Sequence, residues 1–161
     1  MGRKSTKEDK NIYQTSRENL GLTRDEAGAM MEYVTADRIE KIENEKSLAH
    51  PEEILAMSEC YRMPELCNYY CSHECPIGRK HVPAVEVKEL SQITLEILAG
   101  LNVLDKEKSR LIEITVDGRI SPSERPDFDA ISEQLSQVSR AVSSLKLWVD
   151  KAIALGDISE S

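Results

Sequence analysis

The chain has 161 residues and a formal net charge of −8, enough for one comfortable core or two small ones and too little for a large enzyme fold. Aromatic residues are 4% and charged residues 31%, which disfavours β-sandwiches and favours helices packed through Leu, Ile, Val, Ala and Met, so the expected class is all-α. The negative charge excludes a protein that coats nucleic acid indiscriminately but allows a local basic surface.

Residues 1–9, with Arg3, Lys4 and Lys7, read as a basic disordered arm that Lys10 extends. Such an arm either touches phosphate or is a solvated tail. A first helix is expected from Lys10 to Asn19, ended by Gly21. Thr23 and Glu26 then form a capping box, with the Thr hydroxyl on the free backbone N–H groups of the helix start and the Glu reaching back to Thr23. Ala27, Met30 and Met31 give this second helix an inward face. Thr35 caps a third helix, in which Ile39 and Ile42 dock inward at i,i+3 and Asp37, Arg38 and Lys41 point outward. The layout is two short helices around a tight turn, the second presented to solvent.

His50-Pro51-Glu52-Glu53 opens a fourth helix, with proline at its first position and carboxylates near the positive end of the dipole. Ile54, Met57 and Tyr61 repeat along it. Pro64 starts a fifth, carrying Leu66, Cys67, Tyr70 and Cys71, which Pro76-Ile77-Gly78 is expected to end. These elements make residues 10–78 one domain, with 79–83 in the polar, Gly- and Pro-punctuated stretch GRKHVP as its linker.

Residues 84–157 read as a hairpin of two long antiparallel helices. In the first, Val87, Leu90, Thr94, Ile97, Leu101, Leu104, Lys108 and Leu111 keep steps of three and four. In the second, Phe128, Ile131, Leu135, Val138, Val142, Leu145, Val149 and Ala152 keep them without a polar interruption, a heptad seam. Between them, residues 113–124 have the outline of an EF-hand loop with a poor ligand set. A helix-hairpin turn with a Ser121–Glu124 capping box explains them better. Apolar residues outside the seams, including Leu95, Leu98, Ile112, Ala141, Trp148 and Ile153, call for a further surface. That surface is a second copy of the hairpin, giving a homodimer, or else the hairpin's own N-terminal domain.

Residues 10–66 resemble the Cro/phage-repressor (Xre) helix-turn-helix family, on Arg17-Glu18, on the run Gly21-Leu22-Thr23-Arg24-Asp25-Glu26-Ala27, and on Ile39-Glu40-Lys41-Ile42-Glu43-Asn44. The resemblance covers about a third of the chain and implies a five-helix domain that binds double-stranded DNA. Carried over residue by residue, it places the DNA contacts on Arg24, Thr35, Ala36, Asp37, Arg38 and Lys41. In this chain the turn is one residue longer and lacks the family's glycine, and Asp37 and Glu40 stand on the exposed face. Carboxylates there repel phosphate, although Asp37 can accept from a cytosine amino group. A helical protein–protein adaptor that has given up DNA is therefore the rival reading.

Cys60, Cys67, Cys71 and Cys75 fall within sixteen residues. Four thiolates could hold zinc or an iron–sulfur cluster and make the chain a metal or redox sensor. Their helical spacing equally suits buried cysteines acting as small hydrophobes. No nucleophile–base order, phosphate loop or dinucleotide fingerprint is present, so an enzyme is not expected. No apolar run approaches a membrane span and no leader is visible, so the chain reads as cytoplasmic. The expected function is sequence-specific transcriptional regulation by a dimer on a palindromic operator.

Overall fold

A computed structural model describes residues 10–159, and the basic arm at 1–9 lies outside them. The described chain is all-helical, without a strand. It divides into two compact units, residues 10–84 with 150–159 forming one and 85–149 the other.

The first unit contains α1 (Ile12–Asn19), α2 (Arg24–Met30), α3 (Ala36–Glu43), α4 (Pro51–Tyr61), α5 (Glu65–Tyr69) and α6 (Gly78–His81). Local chemistry sets their starts. The Asn11 side chain accepts from the Gln14 N–H at 3.0 Å to cap α1, and its amide donates to the Ile42 carbonyl at 3.0 Å, tying α1 to the end of α3. The capping box opens α2: Glu26 accepts from the Thr23 N–H at 2.7 Å, and the Thr23 hydroxyl accepts from the Glu26 N–H at 3.1 Å. Gly21 ends the segment after α1 with φ of +71°, a backbone setting that a side chain resists. Tyr13, Ala27, Val34, Ile39, Ile42, Ile54, Met57, Tyr61 and Leu66 form the core, each large aliphatic member contributing about 1.5–3 kcal/mol relative to exposure.

Beyond α5 the helix continues as a π-helical turn, Tyr70–Glu74, closed by the Cys75 N–H on the Tyr70 carbonyl at 2.9 Å. Gly78 does not end this element as the sequence suggests; it opens α6, so a turn of helix occupies much of the expected linker. Gly78 is buried, and a Cβ placed on it would lie 2.0 Å from the Cys71 carbonyl oxygen. Only glycine allows the chain to return this closely over the π-helical turn.

The second unit holds α7 (Leu90–Thr115) and most of α8 (Arg125–Leu155), which pack against each other. Their connection is the expected turn. Gly118 takes φ of +71°, and Glu124 accepts from the Ser121 N–H at 2.9 Å and from its hydroxyl at 2.6 Å. The contact face of α7 differs from the expected one. Ile93 and Ile114 are fully buried, and Ile97, Gly100, Leu104 and Leu111 lie between them in the same register, whereas Val87, Leu90 and Leu101 are exposed. On α8, Ile131 and Ala141 are buried, but Leu135 and Val142, both inside the expected seam, are 46% and 50% exposed. Gly100 is what brings the helices close: a Cβ there would stand 2.5 Å from the Val138 side chain. The last turns of α8 belong to the first unit, where Lys151 donates to Glu65 at 2.8 Å and to the Arg62 carbonyl at 3.2 Å.

Candidate nucleic-acid interface

The candidate surface is built by α2, the connection 31–35, and α3. Its rigidity starts at Gly28, where a Cβ would meet the Ala36 nitrogen at 2.9 Å and the Val34 oxygen at 3.3 Å. With no side chain there, α2 lies directly on the backbone that starts α3. Thr35 completes the corner, its hydroxyl accepting from the Arg38 N–H at 3.3 Å. Tyr33, which no sequence pattern singled out, is 58% exposed beside this corner and donates its hydroxyl hydrogen to the Glu52 carbonyl at 2.7 Å.

Beneath the surface lies a buried charged hub. Arg17 presents Nε and Nη2 to the two oxygens of Glu43 at 2.6 and 2.9 Å, while its Nη1 donates to the Leu22 carbonyl. Arg24 adds its Nε to the same carboxylate at 2.8 Å. Glu43 has no exposed surface and Arg17 keeps 5%. Three elements, α1, α2 and α3, therefore close on one carboxylate.

The structure places the six sequence-derived contact residues as follows. Thr35 and Asp37 are exposed at the start of α3, with Ala36 half-buried between them. Lys41 is exposed and pairs with Asp37 one turn earlier at 2.6 Å. Arg24 points into the hub with 29% of its side chain exposed. Arg38 does not project freely as its position opposite Ile39 and Ile42 suggests. It folds across to α4, where Nε and Nη2 meet the two oxygens of Glu53 at 2.5 and 2.7 Å and Nη2 also donates to the Leu48 carbonyl. The hydrogen bond from Arg38 holds the Glu53 carboxyl below the usual carboxylate range against the opposing effect of burial, and the same bond raises Arg38.

Sequence reading missed Glu43 and Glu53 as organisers. A signal existed for the first: Glu43 falls four residues after Ile39, on the inward face of α3, where a carboxylate needs a buried cation.

The four cysteines are half-buried free thiols. Burial raises the Cys60 thiol. Burial, then the neighbouring Cys75 and Cys67, raise Cys71. Cys75 accepts the Gly78 N–H through sulfur at 3.4 Å. Among the described residues no group of three or more His, Cys, Asp or Glu side chains is placed to hold a metal ion. The surrounding contacts hold the helix itself: Tyr13 donates to Glu74 at 2.9 Å and meets Tyr69 edge-on, and Tyr69 stacks on His73 at 4.6 Å. Among the described residues, no helix is long and apolar enough to cross a membrane.

Comparison with family models, curated proteins and solved structures finds no match to this chain.

Proposed function

We propose that the chain is a sequence-specific DNA-binding transcriptional regulator of the Xre helix-turn-helix type, acting in the cytoplasm as a homodimer and not as an enzyme. The observation that carries this reading is the corner between α2 and α3. Gly28 lets the two helices touch backbone to backbone, Thr23 and Thr35 cap both, and Glu43 locks them from beneath. This leaves the first turn of α3 outward, with Thr35, Ala36 and Asp37 next to Lys41. A short helix held rigidly by its predecessor and offering its N-terminal turn suits entry into a major groove. In this reading Thr35 and Lys41 bind phosphate, Asp37 accepts from a base, and Arg24 and Arg38 reach DNA by releasing one of their protein partners.

A second reading, a helical adaptor that binds protein, draws on one specific observation. Each cation of the proposed surface already has a carboxylate: Arg24 has Glu43, Arg38 has Glu53 and Lys41 has Asp37. Selection from a random pool of double-stranded DNA by the full chain, at low and at physiological salt, separates the two. Enrichment of a palindrome supports the regulator, and a pool without enrichment at either salt supports the adaptor.

A further inference from the structure

The hairpin of α7 and α8 has a second apolar face that its own packing does not use. On α8, Phe128, Leu135, Val142 and Val149 recur every seven residues, so they form one stripe along the helix. Leu135 and Val142 at its centre are about half exposed, and Phe128 and Val149 at its ends are partly exposed. This stripe lies about 60°, a sixth of a turn, around α8 from the Ile131–Val138–Ala141 face that meets α7. On α7, Leu98 and Leu101, 51% and 49% exposed, stand about 60–120° around the helix, in the same sense, from the Ile93–Ile97–Leu104 face. Because the helices run antiparallel and turn the same way, both stripes fall on one side of the hairpin.

The net charge along α8 bears on which way a covering copy would run. Residues 125–137 carry Arg125 against Asp127, Asp129 and Glu133, a net −2, whereas 138–149 carry Arg140 and Lys146, a net +2. A helix with this polarity repels a parallel copy of itself and attracts an antiparallel one. The spacing of the apolar stripe accommodates that arrangement. Its midpoint falls between Val138 and Ser139, so an antiparallel partner centred there sets Leu135 opposite Val142 of the other copy and Phe128 opposite Val149. Ser132 and Ser139, beside the stripe, are small enough to let the backbones approach.

We infer that the chain forms a twofold dimer through an antiparallel α8–α8 contact, with Leu135 of each copy packed on Val142 of the other and the two hairpins completing a four-helix bundle. This deepens the dimeric part of the function proposed above and is independent of its DNA part.

The test uses the full-length chain, light scattering coupled to gel filtration, and circular dichroism to check folding. Wild type is expected at twice the monomer mass. Leu135→Glu and Val142→Lys, placed on a face the monomer leaves exposed, are each expected to remain helical and to fall to monomer mass. Mixing the two variants in equal amounts is expected to restore the dimer, since Glu at 135 then faces Lys at 142 across one contact while Leu and Val meet across the other. A mixture that stays monomeric overturns the register, as do single variants that stay dimeric. A monomeric wild type overturns dimerisation altogether, and none of these outcomes touches the DNA-selection result.

Discussion

Arg17 and Glu43 form a two-pronged ion pair sealed inside the first unit, with Nε–Oε1 and Nη2–Oε2 distances of 2.6 and 2.9 Å and no exposed surface on the carboxylate. Their positions, 26 residues apart, staple α1 to α3, and the Leu22 carbonyl takes a further Arg17 proton. Such a pair gives less net stability than its geometry suggests, because both ions leave water. Breaking it is another matter, since the survivor stays charged, buried and unpaired.

We therefore expect Glu43→Ala to cost about 3–5 kcal/mol in urea denaturation, a penalty typical of stranding a buried charge. Arg24 contributes only one of the three hydrogen bonds to this carboxylate and keeps 29% of its side chain in solvent. Arg24→Ala should cost clearly less. Equal losses from the two variants would show that Glu43 is not the hub.

The Arg38–Glu53 pair gives a pH dependence whose sign is fixed. Arg38 holds the Glu53 carboxyl below its ordinary value in the folded chain. Its stabilisation is complete above the unfolded carboxylate value, about 4.3, and is lost as pH falls through the lower folded value. Thermal melts from pH 6 to pH 3 should show part of their acid destabilisation disappear in Arg38→Gln. An unchanged acid limb in that variant would mean that other carboxylates carry the whole effect.

Helix starts were legible because capping is local: Thr23 with Glu26, Thr35, and Pro51 with Glu53 each lie within four residues of what they cap. The face of α7 was not. Val87, Leu90 and Leu101 continue one apolar stripe and Ile93, Gly100 and Ile114 another, with Ile97, Leu104 and Leu111 common to both. Periodicity cannot choose between two stripes that share half their members; the close approach at Gly100 and Val138 does. Arg38 failed to project freely for a related reason. Its position on α3 is set by helical spacing, but its long side chain reaches a carboxylate fifteen residues away on another helix.

Gly78→Ala tests a close backbone approach in the first unit. The new methyl would overlap the Cys71 carbonyl, a backbone atom that cannot rotate aside. Relief requires moving α6 away from the π-helical turn, at a cost of about 1–3 kcal/mol typical of overpacking. Hydrogen exchange should then rise across residues 70–82 and leave α1–α3 protected. Unchanged protection in that stretch would contradict the packing of α6.

If the chain reads DNA, few phosphates can be neutralised by Lys41 and the arginines already held by carboxylates. The slope of log affinity against log salt should be shallow, on the order of −3 to −5 per dimer. Lys41→Ala should flatten it by about one unit per protomer. Arg38→Ala should weaken binding too, but with a measurable loss of stability, because Arg38 also joins α3 to α4. Loss of affinity from Arg38→Ala without loss of stability would assign that side chain wholly to the ligand.

The two faces of α8 should respond differently to the same charge. Leu145 is half-buried on the side that meets α7, whereas Leu135 is 46% exposed. Glutamate at 145 pushes a carboxylate into apolar surroundings without a partner and should cost about 1–3 kcal/mol, visible as a lower melting temperature at every protein concentration. Glutamate at 135 leaves the monomer's packing intact. Its effect should be confined to concentrations at which wild type self-associates, and should vanish on dilution. Concentration-dependent melts of the two variants distinguish the cases directly: a Leu135→Glu protein as unstable when dilute as Leu145→Glu would mean that position 135 belongs to the hairpin's interior and not to its free face.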